Sequence, residues 1–130
     1  MFARIAMTMM LGCTISAAAE FCDQPLAQIK DDCDQHKAVL LDVREQGEWN
    51  DGHVTWAIFL PLSMLRKGLT DADAARLPKD KIIYIHCAVG MRAMSAAKIL
   101  EKSGYIVRPI KAGREQLVEA GFPATQKDGP

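Results

Sequence analysis

The chain has 130 residues, 49% of them hydrophobic, with 16 basic and 16 acidic side chains and a net charge of zero. That length holds one domain with a proper core, and the apolar fraction excludes a disordered chain. The even charge argues against a nucleic-acid partner or an anionic membrane surface, and no repeat or low-complexity segment is visible.

Residues 1–19 stand apart. Arg4 gives a positive start, residues 5–15 an apolar stretch, and Ala17, Ala18 and Ala19 before Glu20 suit cleavage at small residues. The expectation is a removable export signal, since the apolar part falls short of the roughly 20 residues a spanning helix needs. An uncleaved amphipathic helix and lipoprotein processing at Cys13 are the alternatives. Residues 20–130 then form one domain, core at 25–123, periplasmic or secreted and free of the membrane. Its cysteines would be Cys22, Cys33 and Cys87, an odd number for an oxidising compartment. Cys22 and Cys33 flank a short stretch that a disulfide could close. Two unpaired thiols, or one resolving an oxidised Cys87, remain open. No cysteine or histidine pair has zinc spacing, so no metal is expected.

Residues 25–36 carry Leu26, Ile29 and Cys33 at helical spacing behind Pro25, which suits a first turn. Residues 38–43 read as a buried strand. Asp42 and Arg44 stand at its carboxyl end, where open α/β sheets place ligands. An ion pair or cap that fixes the turn is the preferred role for them. Residues 45–51 form a short helix stopped by Gly52, and His53 reads as a structural histidine. A second strand covers 57–60, ended by Pro61, with a helical turn at 62–65. Thr70 caps a helix over 70–77 with Asp73 three residues on, and residues 78–80 turn. A strand over 81–86 leads to a crossover helix over 93–102 with Gly104 as its cap. A fourth strand covers 105–110, the last helix 114–120, and residues 124–130 are expected to be a loose tail. Strands alternating with helices mean an α/β fold with a mainly parallel sheet covered on both faces.

The most informative stretch joins the 81–86 strand to the helix after it. Cys87 opens a short turn, Gly90 sits near its middle and Arg92 closes it. Backbone N–H groups of such a turn point inward, the helix adds the positive end of its dipole, and glycine allows the required backbone angle. Thiols with pKa near about 8.5 in peptides fall to roughly 3.5–7.5 in such surroundings. Cys87, expected at the mouth of this nest, reads as a nucleophile that needs no separate general base. The bland alternative is a buried structural cysteine.

Four motifs carry a family resemblance. They are Leu40-Leu41-Asp42-Val43-Arg44 followed by Glu48-Trp49, Gly52-His53-Val54 leading through Ala57 to Leu60-Pro61, Ile85-His86-Cys87 through Arg92, and Ala112-Gly113 through Ala120-Gly121-Phe122-Pro123. In that order they resemble the rhodanese family of sulfurtransferases. With the export signal, the chain is most similar to the small single-domain periplasmic rhodaneses of the phage-shock type. It departs from the family at Trp56, Phe59, Ala112 and Leu117, and its loop is less polar, with Ala88, Val89 and Met91 at the variable positions.

The resemblance implies a rhodanese-like sheet of about five strands and sulfur transfer without a cofactor. Cys87 would take sulfane sulfur from a small anionic donor such as thiosulfate, and cyanide or a thiol would accept it. Ala88, Val89, Gly90, Met91 and Arg92 would bind the substrate, with Arg92 fixing the loop and attracting the anion. His86, next to Cys87, is given no catalytic role. One rival reading is a phosphatase or arsenate reductase of the Cys-loop type. It is disfavoured because only four residues separate Cys87 from Arg92, which narrows the nest, and no aspartate is placed as general acid. Another is a non-enzymatic sulfur carrier or partner-binding module, suggested by the apolar loop. The sequence does not settle the oligomeric state.

Overall fold

The computed structural model describes residues 19–126. The expected signal up to residue 18, Cys13 and residues 127–130 lie outside them. In chain order the elements are α1 (Leu26–Asp34), β1 (Ala38–Asp42), α2 (Gln46–Asn50), β2 (Gly52–Val54), β3 (Ile58–Phe59), α3 (Leu62–Leu65), α4 (Asp71–Arg76), β4 (Ile82–His86), α5 (Met91–Lys102), β5 (Ile106–Pro109), α6 (Arg114–Glu119) and β6 (Ala124–Gln126).

The main sheet runs β3-β1-β4-β5 and every pairing in it is parallel. Its central strands are apolar and buried on both sides, as a covered parallel sheet requires. Alternate residues go to opposite faces. Leu41, Val43, Ile83 and Ile85 pack with Leu62 and Leu65 of α3 and Ala93, Ala96, Ala97 and Leu100 of α5. Leu40 and Tyr84 pack with Ile29 of α1, Leu117 of α6 and Phe122. The small alanine face of α5 lets that helix lie close to the sheet.

The sheet has four strands rather than about five. Two further short strands pair with each other instead: β2 and β6 are antiparallel, with His53 opposite Thr125. The expected loose tail is therefore ordered as far as it is described. It is held by this ladder and by the Thr55 N–H, which donates to Pro123 oxygen at 2.9 Å.

The expected Cys22–Cys33 bridge is absent, and Cys33 is a free thiol. Cys22 is disulfide-bonded, though not to Cys33, and the topology keeps these two apart. Cys22 is fastened at the carboxyl end of β5, its N–H bonded to Pro109 oxygen at 2.8 Å. Cys33 lies in the last turn of α1, which returns to the opposite end of the sheet where β1 begins. A strand as long as β5 spans about 13 Å, beyond the roughly 7 Å that a disulfide can bridge. Burial, reinforced by Asp32 and Asp34, pushes the Cys33 thiol up to about 12.

Candidate functional site

β1 and β4 are neighbours in the sheet, but the chain leaves them toward opposite edges, β1 toward β3 and β4 toward β5. Ligands of open α/β sheets bind at the carboxyl ends of strands at such a switch point. The register sets Asp42 beside His86 there, so the segments bearing Arg44 and Cys87 leave the sheet from neighbouring strand ends.

Asp42 and His86 have no exposed surface and Arg44 is 6% exposed. Arg44 holds Asp42 from its own backbone N–H at 2.9 Å and from its guanidinium, whose Nη2 reaches Oδ2 at 2.8 Å. The same Nη2 donates to Gly52 oxygen at 2.8 Å, which ties the end of β1 to β2. Burial alone would push Asp42 up, but His86 and Arg44 outweigh it and hold the carboxyl well below the usual range. The Arg44 contacts are the aligned hydrogen bonds. His86 Nε2, 3.4 Å from Asp42 Oδ2, is an electrostatic neighbour with no hydrogen-bond partner of its own. Its Nδ1 is 3.3 Å from Cys87 oxygen. These three residues form a buried polar floor under the loop.

Cys87 lies on the floor of its nest, 1% exposed, not at the mouth. β4 delivers it one residue past a fully buried strand end, and the loop then closes around it. Gly90 is in the left-handed conformation, φ 104°, and caps α5, which starts at Met91. That backbone turn aims the Gly90 N–H at Cys87 Sγ at 3.0 Å, and the Ala93 N–H reaches the same sulfur at 3.4 Å. Among the described residues no N–H of Ala88, Val89, Met91 or Arg92 bonds to the sulfur. Val89 and Met91 instead turn outward, 74% and 71% exposed.

Arg92 makes a two-pronged ion pair with Glu48 of α2, Nη1 to Oε1 at 2.6 Å and Nη2 to Oε2 at 2.9 Å. Glu48 also receives the Glu45 N–H at 3.1 Å. The Arg92 guanidinium holds the Glu48 carboxyl down at about 2. Glu48 in turn raises Arg92, with burial opposing and the Cys87 charge adding to the effect. Arg92 thus pins the start of α5 to α2, with its guanidinium engaged by a carboxylate of the protein itself. His53 is set in the wall: its ring stacks on Trp49 at 3.5 Å, and Nδ1 lies 2.8 Å from Trp49 oxygen. Beside the loop, Ala88, Arg44, Glu48 and the start of α6 line a cleft of about 480 Å³. Gly113 there lets α6 approach closely, since a methyl on it would meet Ala88 oxygen at 2.5 Å.

The structure therefore brings Cys87, Gly90, Arg92, Asp42, Arg44 and His86 together at the carboxyl end of the sheet, while His53 stacks on Trp49 and Cys33 is a buried free thiol on α1. Two participants escaped the sequence reading. Ala93 looked like a plain helix former, and Glu48 carried no mark of its pairing with a residue 44 positions away.

Residues 25–120 match the family model of the Rhodanese-like domain. The chain belongs to that family. Among curated proteins, the domain is 37% identical over 68 residues to the uncharacterized protein YqhL of Bacillus subtilis, covering 52% of this chain and 50% of that one. It is 32% identical over 69 residues to the probable adenylyltransferase/sulfurtransferase MoeZ of Mycobacterium tuberculosis, covering 53% and 17%. The chain spans from 17% to 50% of the length of the curated relatives it matches. The rhodanese-related protein of Thermoplasma volcanium superimposes with a TM-score of 0.63 at 25% identity, covering 83% of this chain and 97% of that one. Among the described residues, this rhodanese-like domain has no histidine, cysteine, aspartate or glutamate group that could hold a metal ion. None of its described helices is long and apolar enough to cross a membrane.

Proposed function

We propose that the protein is a sulfurtransferase that carries sulfane sulfur as a persulfide on Cys87. The Cys87 thiolate attacks the outer sulfur of a donor such as thiosulfate. The S–S bond of the donor breaks, sulfite leaves with the electron pair, and the sulfur stays on Cys87 as an anionic persulfide. A thiophilic acceptor, cyanide or a cellular thiol, then attacks the terminal sulfur, leaves with it and returns the thiolate. No separate proton acceptor is needed if the thiol enters the cycle ionised.

One observation carries this reading: two backbone N–H groups, fixed by the loop and the helix start, converge on Cys87 Sγ. Preformed N–H donors favour negative charge where it resides during reaction, and they do so at little reorganisation cost. Membership of a family with a relative named a sulfurtransferase supports the same chemistry. The export signal read from residues 1–19 would put this activity in the periplasm or outside the cell. The test is thiocyanate formation from thiosulfate and cyanide. Turnover that disappears in Cys87→Ser supports the enzyme. Phosphate-ester hydrolysis without any persulfide would support the phosphatase reading in its place.

The exposed Val89 and Met91 favour a second reading, a domain that hands sulfur to a protein partner. A protein that loads sulfur on Cys87 but turns over neither cyanide nor small thiols would support it.

A further inference from the structure

Gly90 makes the shorter of the two bonds to the sulfur, yet glycine is the residue least able to hold its own backbone angle. Something outside the loop must keep its N–H in place. Phe21 lies against it: a methyl on Gly90 would meet Phe21 Cε1 at 3.0 Å and Cζ at 3.3 Å, and Lys111 Cα at 3.2 Å. The Lys111 ammonium stands 5.1 Å from the centre of the Phe21 ring, a cation–π distance. The segment bearing Phe21 is anchored on both sides. The next residue, Cys22, bonds to Pro109, and Ala19 packs against the cluster that contains Cys87. Phe21 precedes residue 25, where the family match begins, while Gly90 and Lys111 lie within it.

We propose that Phe21 is a positioning residue for the sulfur nest: pressed on Gly90 and held by Lys111, it keeps the Gly90 N–H directed at Cys87 Sγ. Its effect on the sulfur passes entirely through Gly90. The proposal deepens the sulfur-transfer reading and rests on Cys87 as the reactive thiol.

The test compares purified wild-type, Phe21→Ala and Phe21→Leu proteins. Three quantities are read: amide hydrogen exchange at Gly90 and Ala93 by NMR, the rate at which thiosulfate adds sulfur to Cys87, and the denaturant midpoint. Phe21 lies outside both buried clusters, so the midpoint should stay near wild type. In Phe21→Ala the Gly90 amide should exchange on the order of tenfold faster while Ala93 keeps its rate. Sulfur loading should slow by a similar factor. Phe21→Leu, which keeps apolar bulk against Gly90, should recover most of both. An unchanged Gly90 rate in Phe21→Ala overturns the proposal. Equal acceleration at Gly90 and Ala93 with a fallen midpoint also overturns it, because that marks general loosening. If wild type itself never gains sulfur, the sulfur-transfer reading fails, while the exchange comparison still decides whether Phe21 positions Gly90.

Discussion

Asp42 is a charged residue with no exposed surface, and its charge is held by Arg44, which hydrogen-bonds it, with His86 beside it. Removing one partner of such a pair leaves the other buried and unpaired, which costs about 3–5 kcal/mol. Asp42→Ala should show a loss of that size in denaturant unfolding, even though the side chain touches no substrate. The sign with pH follows from the depressed folded-state value. Asp42 contributes stability that is fully present above the ordinary carboxylate range and is lost as pH falls from that range toward its depressed folded-state value. Glu48, held at about 2 by Arg92, acts in the same direction. The wild-type midpoint should therefore fall progressively from about pH 5 down to about pH 2. Asp42→Ala should flatten that drop, and an equally steep one would contradict the assignment. Cys33 lies at the other extreme: with its thiol pushed up to about 12, it should resist iodoacetamide in the native protein near neutral pH and react once unfolded.

The strand-loop-helix around Cys87 was legible because its cues are local: an apolar β-branched run, a cysteine at its end, a glycine three residues on, then helix formers. Its details were not. Helix α5 begins at Met91, two residues before the expected 93, because Gly90 takes the left-handed turn and the chain can enter the helix at once. That early start is what brings the Ala93 amide to the sulfur. Gly90→Ala should force a left-handed alanine against Phe21, costing about 1–2 kcal/mol in unfolding and most of the sulfur-loading rate. Retained loading at a lowered midpoint would show that the Gly90 amide is dispensable. Strands β2 and β6 were invisible for a different reason. Each has three residues, β2 starts on a glycine, and the pair is made between segments about seventy residues apart. Nothing in either segment alone carries an alternating pattern long enough to read.

At the scale of the molecule, the alternation of strands and helices was enough to give the parallel α/β sheet, and strand order then fixes where chemistry can occur. The order β3-β1-β4-β5 puts the switch point between β1 and β4, where Asp42 stands beside His86, the residue before Cys87. Contacts far apart in sequence support the site: Arg92 to Glu48 and Phe21 to Gly90. Neither has a one-dimensional trace, which is why the sequence yielded the Cys87 loop but not the contacts that support it. The assignment of Cys22 to Cys33 failed at this scale too, since pairing by nearness in sequence ignores a helix that carries one cysteine the length of the sheet. Truncation after Pro123 removes β6 and should lower stability by roughly 1–3 kcal/mol, the worth of a few ladder hydrogen bonds. The four-stranded sheet should survive it, with unchanged far-ultraviolet circular dichroism apart from the lost strand.

The most direct test of the whole account is intact-mass spectrometry of the purified protein before and after thiosulfate, followed by mapping of the modified peptide. The wild type should gain the mass of one sulfur atom on the peptide bearing Cys87, lose it on addition of cyanide, and show no gain in Cys87→Ser. A wild-type mass that never changes, or sulfur found on Cys33 instead, would contradict a nest built to hold an anionic sulfur at Cys87.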